Sequence, residues 1–180
     1  MLVLCGEIYR PVGCSDYIPA GYRHNLNWFP FAVIILTTVH KSTVVPYSAD
    51  EMYALVNDIE AYPDFFHWCK SAQILYATDT HLQATIAIEA GKIKQAFTTE
   101  NHMQPGRSIN MQLVEGPFKY LSGKWQFEPQ INRSCKVTLD IQFEFRNKLL
   151  KLALHKTFNY IMNSLVESFR ERARDIYGKQ

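Results

Sequence analysis

Hydrophobic and polar residues alternate with a period of two along several stretches after residue 80. Such alternation predicts β-strands, because successive side chains of a strand point to opposite faces. Residues 82–88 and 109–113 follow the pattern, and it is clearest near the end of the chain. There the apolar face consists of Val137, Leu139, Ile141, Phe143 and Phe145. One apolar face and one polar face are typical of an antiparallel sheet that is covered on one side.

The C-terminal part of the chain changes to a helical period. From Leu150 onward, apolar residues recur at spacings of three and four. They are Leu154, Phe158, Ile161, Leu165, Phe169, Ala173 and Ile176. This spacing predicts a long amphipathic helix with one apolar side. Such a helix can lie in the concave face of a curved sheet.

Two short helices are predicted between the first strand and the remaining strands. Ser48 and Glu51 have the spacing of a capping box, which predicts a helix that continues through Val56. A second helix is expected over residues 59–65, disturbed by Pro63. The order is therefore one strand, two short helices, six strands and one long helix, in a single α+β domain.

Residues 114–127 carry the most informative motif of the chain. A strand that ends at Val114 meets a Gly-Pro break, which interrupts regular structure because Pro cannot donate to a ladder. The next strand places Leu121, Gly123 and Trp125 on its apolar face. We expect Gly123 to leave a gap on that face, into which a helix or a bulky apolar guest can fit.

This Gly-Pro-Phe-Lys run, followed by Gly-x-Trp-x-Phe, resembles the signature of the coenzyme-Q-binding START-like family. That family includes the RatA ribosome-association toxins and an oligoketide (polyketide) cyclase-like branch. Residues 45–53, 56–69 and 143–149 resemble other parts of its pattern, and the resemblance extends from about Val39 to Tyr177. It implies a helix-grip fold, a curved antiparallel sheet of about seven strands around a long C-terminal helix.

Residues 1–38 differ from the rest of the chain. They contain few charges and an apolar run over residues 28–39, broken by Pro30. This run is too short to span a bilayer, which needs about 20 residues, and it lacks the flanks of a signal peptide. We interpret residues 1–38 as an N-terminal extension, which is a surface-packed arm, a membrane-touching segment or translated sequence upstream of the true start. We favour the last, with natural initiation expected near Leu36 or Thr38. Residues 39–178 form the predicted START-like domain.

Charge and chemistry narrow the function further. The net charge is +2 over 180 residues, which argues against a dedicated nucleic-acid-binding protein but leaves a local basic face open. No DNA partner is expected. The four cysteines form no CxxC pair, and His67 with Cys69 has no partner pair at metal-ligand spacing. We therefore predict no catalytic residue, no metal and no disulfide. The expected location is the cytoplasm, with peripheral contact at the inner membrane as an alternative.

The space between the sheet and the long helix is the predicted ligand site. Most of the candidate residues are large and apolar, and each taken singly is more often ordinary core. The candidates are Phe65, Trp68, Phe97, Met111, Phe118, Lys119, Trp125, Phe143, Phe158, Ile161, Leu165 and Phe169. Lys119 is the polar candidate: the resemblance places its loop near the cavity entrance, where the ammonium would hold a polar head group.

Three functions remain open from the sequence. We favour the function that the family resemblance implies, which is non-enzymatic binding of ubiquinone or a related isoprenoid quinone, as a carrier or chaperone that supports respiration, without a catalytic cofactor. The alternative is a toxin that binds the large ribosomal subunit and blocks subunit joining. Basic residues of the last helix, such as Arg170 and Arg174, would then contact RNA phosphates. A polyketide cyclase or aromatase is the third, and no catalytic motif favours it.

Overall fold

Seven antiparallel strands form one open sheet in a computed structural model that describes residues 36–90 and 93–178. The strands are β1 (Thr37–Val45), β2 (Cys69–Ala77), β3 (His81–Ala90), β4 (Ile93–Gln104), β5 (Ser108–Glu115), β6 (Phe118–Pro129) and β7 (Cys135–Phe145). Their spatial order is β1-β7-β6-β5-β4-β3-β2. From β2 to β7, strands that are consecutive in sequence are also neighbours in the sheet. β1 lies at the edge of the sheet, beside β7.

Three α-helices accompany the sheet: α1 (Ala49–Asn57), α2 (Tyr62–Phe65) and α3 (Lys148–Tyr177). The α+β helix-grip prediction is confirmed, including the strand count and the long last helix. The predicted boundary between an extension and a domain at residue 39 stays a prediction. Residues 1–35 lie outside the described part of the chain, and β1 begins at Thr37.

The capping box at the start of α1 is confirmed. The Glu51 backbone N–H donates to Ser48 Oγ at 3.2 Å, and the Ser48 N–H donates to Glu51 Oε2 at 2.7 Å. The hydrogen bond from the Ser48 backbone N–H lowers the pKa of the Glu51 carboxyl, because it favours the charged form of that group. The reciprocal pair satisfies two backbone donors that the first helical turn leaves without partners.

The helix expected over residues 59–65 is instead two short elements. A single 3₁₀ turn covers Ile59–Ala61, and α2 follows directly with Pro63 in its first turn. Pro63 has no N–H with which to bond the carbonyl of Ile59, so one continuous helix is disfavoured. In the first turn of a new helix the missing donor costs nothing, because that N–H would have no partner anyway.

The apolar side of α3 faces the concave side of the sheet. Its buried residues are Leu154, Phe158, Ile161, Met162, Leu165, Phe169 and Ala173. The prediction is wrong for Ile176, which is 48% exposed. The last turn is instead held by Tyr177, whose ring lies 6.1 Å from that of Tyr47 and whose hydroxyl donates to the Glu51 carbonyl at 3.3 Å.

An aromatic cluster around Phe169 joins α3 to α2 and the sheet. The Phe169 ring centroid lies 5.6 Å from that of Tyr62, 5.1 Å from Phe66 and 5.4 Å from Trp125. These edge-to-face contacts suit the quadrupoles of aromatic rings. Phe169 is 1% exposed, so its whole side chain contributes to the core.

We expect Phe169→Ala to lower the free energy of unfolding by about 3–5 kcal/mol, because it removes buried area and leaves a cavity among the surrounding rings. Equilibrium urea unfolding measures the change. Tyr160→Ala is the matched control, since Tyr160 lies exposed on the same helix and its loss should change stability by less than about 0.5 kcal/mol. Equal losses for both variants would contradict a core centred on Phe169.

Candidate functional site

A cavity of about 80 Å³ lies between α3 and the sheet. Its walls come from α1, the α2 region, strands β3 to β7 and α3, and they are largely apolar. Eight of the twelve residues predicted from the sequence line it. They are Trp68, Phe97, Met111, Trp125, Phe158, Ile161, Leu165 and Phe169. The structure therefore brings most of the predicted set together, and their role in ligand binding remains a prediction.

The other four predicted residues lie outside this cavity. Phe118 and Phe143 pack on Phe158 with ring centroids 5.2 and 4.6 Å away, as part of the core beyond one end. Phe65 is half-buried beneath the Arg172 guanidinium, 5.4 Å from its ring centroid. Lys119 Nζ lies 3.4 Å from Glu144 Oε2 on the neighbouring strand. The Lys119 ammonium thus forms a surface ion pair and is not directed at the cavity.

The expected gap at Gly123 is occupied. A Cβ atom added to Gly123 would collide with Met111 Cε and would lie 3.4 Å from Ile141 Cγ1. Met111 pairs with Gly123 in the register of β5 and β6, so its side chain lies across the glycine. Gly123 therefore makes room for a methionine of the same protein. Because methionine is flexible, this side chain can also move.

One side of the cavity is less covered than the other. α3 makes its main contacts with α1, β1 and β7, at one edge of the sheet. On the inner face of β3, β4 and β5, the side chains of Ile86, Phe97 and Met111 are only half-buried although they line the cavity. Access from solvent is therefore easiest between α3 and these three strands.

Two polar residues of the cavity wall were missed by the sequence analysis. Thr99 and Asn101 are buried on β4, in the same inward row as Phe97 and Met103. The signal was present, since a period-two reading of β4 puts all four on one face. They were not predicted, because the candidate residues were chosen mainly for large apolar side chains.

The cavity region offers little reactive chemistry. Burial raises the pKa of the Cys69 thiol to about 11, so that it is not a thiolate at neutral pH. Burial also raises the pKa of Tyr62, whose hydroxyl donates to the Val56 carbonyl at 2.6 Å. Within residues 36–90 and 93–178, no three His, Cys, Asp or Glu side chains converge as metal ligands. What the described walls can do is enclose an apolar molecule.

The outer surface of α3 is divided by charge. Between Glu144 and Glu167 the chain has no acidic residue, whereas three exposed lysines lie on the first turns of the helix. They are Lys148, Lys151 and Lys156. In the second half of α3, Arg170 lies 2.8 Å from Glu167, and Arg172 lies 3.8 Å from Asp64. The least neutralised basic surface is therefore at the start of α3.

None of the described helices combines the length and the apolar character that crossing a lipid bilayer requires.

The fold and the enclosed apolar cavity define a START-like helix-grip protein, and comparison with known proteins agrees. Residues 45–170 match the family described as polyketide cyclase / dehydrase and lipid transport. The chain belongs to this family.

Two relatives and a solved structure are similar to the chain. A Vibrio cholerae protein named ribosome association toxin RatA is 40% identical over 141 residues, which span 78% of this chain and 98% of that protein. A Xenopus laevis protein named coenzyme Q-binding protein COQ10 homolog B is 24% identical and is covered over 59% of its length. A START superfamily structure from Mycobacterium smegmatis has a TM-score of 0.66 at 20% identity, covering 77% of this chain and 98% of that one. The predicted family resemblance is confirmed.

We expect Gly123→Ala to destabilise the protein by about 1–3 kcal/mol, because the added methyl group displaces Met111. In a Met111→Ala background the same substitution should cost much less. Thermal or urea unfolding of the four proteins of this double-mutant cycle gives the coupling energy. An identical cost in both backgrounds would show that Met111 does not occupy the space above Gly123.

Proposed function

We propose that this protein associates with the large ribosomal subunit and hinders its joining with the small subunit, without an enzymatic step. The observation that carries the proposal is the 40% identity to a ribosome association toxin over 98% of that protein's length. The ubiquinone function favoured by the sequence analysis has only the more distant relative, at 24% identity, in its support. The alternative function from the sequence analysis thus becomes the principal one.

The start of α3 is the surface that fits ribosomal RNA best. Lys148 and Lys151 lie in the first turn of the helix, where the macrodipole disfavours positive charge. Helix stability therefore does not explain these two lysines, and Lys156 adds a third positive charge in the third turn. Contacts with phosphate groups do explain them, because each neutralised phosphate releases counterions. Arg170, the earlier candidate, is partly neutralised by Glu167.

We expect the triple variant Lys148→Glu, Lys151→Glu, Lys156→Glu to bind large subunits at least tenfold more weakly, because attraction to phosphate becomes repulsion. Cosedimentation with purified subunits in sucrose gradients measures binding and subunit joining together. Lys70→Glu, Lys94→Glu, Lys124→Glu carries the same charge change on exposed strand lysines and is the matched control. Arg170→Glu, Arg174→Glu should have a smaller effect than the α3 triple variant. If both triple variants bind large subunits as tightly as the unmodified protein, the start of α3 is not the contact surface. If the unmodified protein neither cosediments with large subunits nor hinders subunit joining, the ribosome proposal fails.

The cavity supports a second candidate function, the binding of a hydrophobic ligand. Its apolar walls and the partial exposure of Phe97 and Met111 would let such a molecule enter. Its volume of about 80 Å³ is roughly half that of an engineered cavity of about 150 Å³ that holds benzene. A quinone ring with a prenyl tail would therefore require rearrangement of the wall, with the flexible Met111 as the first side chain to move. No catalytic cofactor forms part of this proposal.

We expect solvent extraction of the purified protein, followed by mass spectrometry, to release an apolar compound. Met111→Trp should lower its amount at least several-fold, because the indole fills the accessible side of the cavity. Met111→Leu, which preserves volume and apolar character, is the matched control. Protein free of any apolar compound, both as purified and after incubation with a lipid extract, would refute the ligand-binding function and leave the ribosome proposal standing.

A further inference from the structure

Two buried polar atoms in the cavity wall have no hydrogen-bond partner among the described residues. They are Trp68 Nε1, which carries a donor hydrogen, and Asn101 Oδ1, which accepts. Both residues line the cavity, and they are 8% and 3% exposed. Buried polar groups are nearly always hydrogen-bonded, because burial without a partner costs free energy. A donor and acceptor supplied from outside the described residues would satisfy both atoms.

The fold itself does not require an asparagine at position 101. Asn101 pairs with Leu82 on β3 and with Met111 on β5, both apolar residues of the inner face. Its neighbours in the inward row of β4 include Phe97 and Met103. Asparagine is depleted in strands, and a leucine would fill this position without an unpaired amide. The amide is thus better explained by a ligand than by packing.

We propose that the cavity binds a mainly apolar molecule that carries a hydroxyl group, with Asn101 as the residue that selects the hydroxyl. The hydroxyl donates to Asn101 Oδ1, and an oxygen of the same molecule accepts from Trp68 Nε1–H. A ketone or quinone has oxygen acceptors only and, with the Asn101 amide in the orientation of this structure, would leave Asn101 Oδ1 unpaired. Among isoprenoid quinone lipids, the reduced quinol form would be preferred for the same reason. This inference rests on the second candidate function, ligand binding in the cavity.

Water is the competing occupant, because one water molecule can also donate and accept. The experiment must therefore show displacement by an organic molecule and a preference for its hydroxyl. The probes are 1-butanol and 2-butanone, which have equal numbers of carbon and oxygen atoms and differ in whether they can donate. They are small enough for a cavity of about 80 Å³.

The readout is the indole N–H resonance of Trp68 in ¹⁵N-labelled full-length protein, assigned by its loss in Trp68→Phe. We expect saturable shifts of this resonance, with 1-butanol binding about tenfold more tightly than 2-butanone, the effect of one hydrogen bond to a buried partner. Asn101→Leu should erase the difference between the probes. It should also raise the thermal midpoint, since it removes a buried unpaired acceptor.

Asn110→Leu is the matched control, because Asn110 lies one residue from Met111 and does not line the cavity. It should preserve the preference for the alcohol. Equal affinity for both probes, or a preference that survives Asn101→Leu, would overturn the inference. Absence of any saturable shift would also overturn it, in favour of water as the occupant. An apolar compound that is still found on extraction would in that case leave the second candidate function intact.

Discussion

The structure depends on how the apolar side of α3 is held against the sheet at two places. Near one end, Phe158 packs against the rings of Phe118, Phe143 and Phe145, with centroids 5.2, 4.6 and 5.8 Å away. Near the other end, Phe169 lies within the cluster of α2 and β6 rings. The two attachments are three helical turns apart, since they are separated by eleven residues. Strong burial at both ends allows the part between them to be packed less completely.

The cavity is a consequence of this two-point attachment. Ile161 and Leu165, between the anchoring phenylalanines, face the cavity instead of a fully packed wall. The void is small because Met111 lies across Gly123. An unbranched, flexible side chain at this position makes the volume adjustable, whereas a branched residue would fix it. The volume of the cavity is therefore limited less by the backbone than by one side chain.

Much of the fold followed from the sequence because its signals are local. Alternation of apolar and polar residues predicted the strands, and the spacing of apolar residues predicted which side of α3 is buried. Both patterns depend only on residues within one element. The errors arose where partners come from distant segments. The sequence predicted that Lys119 would hold the polar head group of a ligand, but Glu144 on the neighbouring strand forms an ion pair with it. Ile176 fitted the apolar period, but Tyr177 makes the contact with α1 instead.

The cavity and the basic surface lie at different places on α3. Phe158 faces inward and lines the cavity, whereas the exposed Lys156 points to the opposite side of the helix and the exposed Lys151 lies two turns nearer the start of α3. A ligand in the cavity and RNA on the outer surface would therefore not compete for space. Any influence of one on the other would have to pass through a movement of α3, which the aromatic clusters around Phe158 and Phe169 resist. Substitutions in the cavity wall and at the α3 lysines can therefore test the two proposed activities separately.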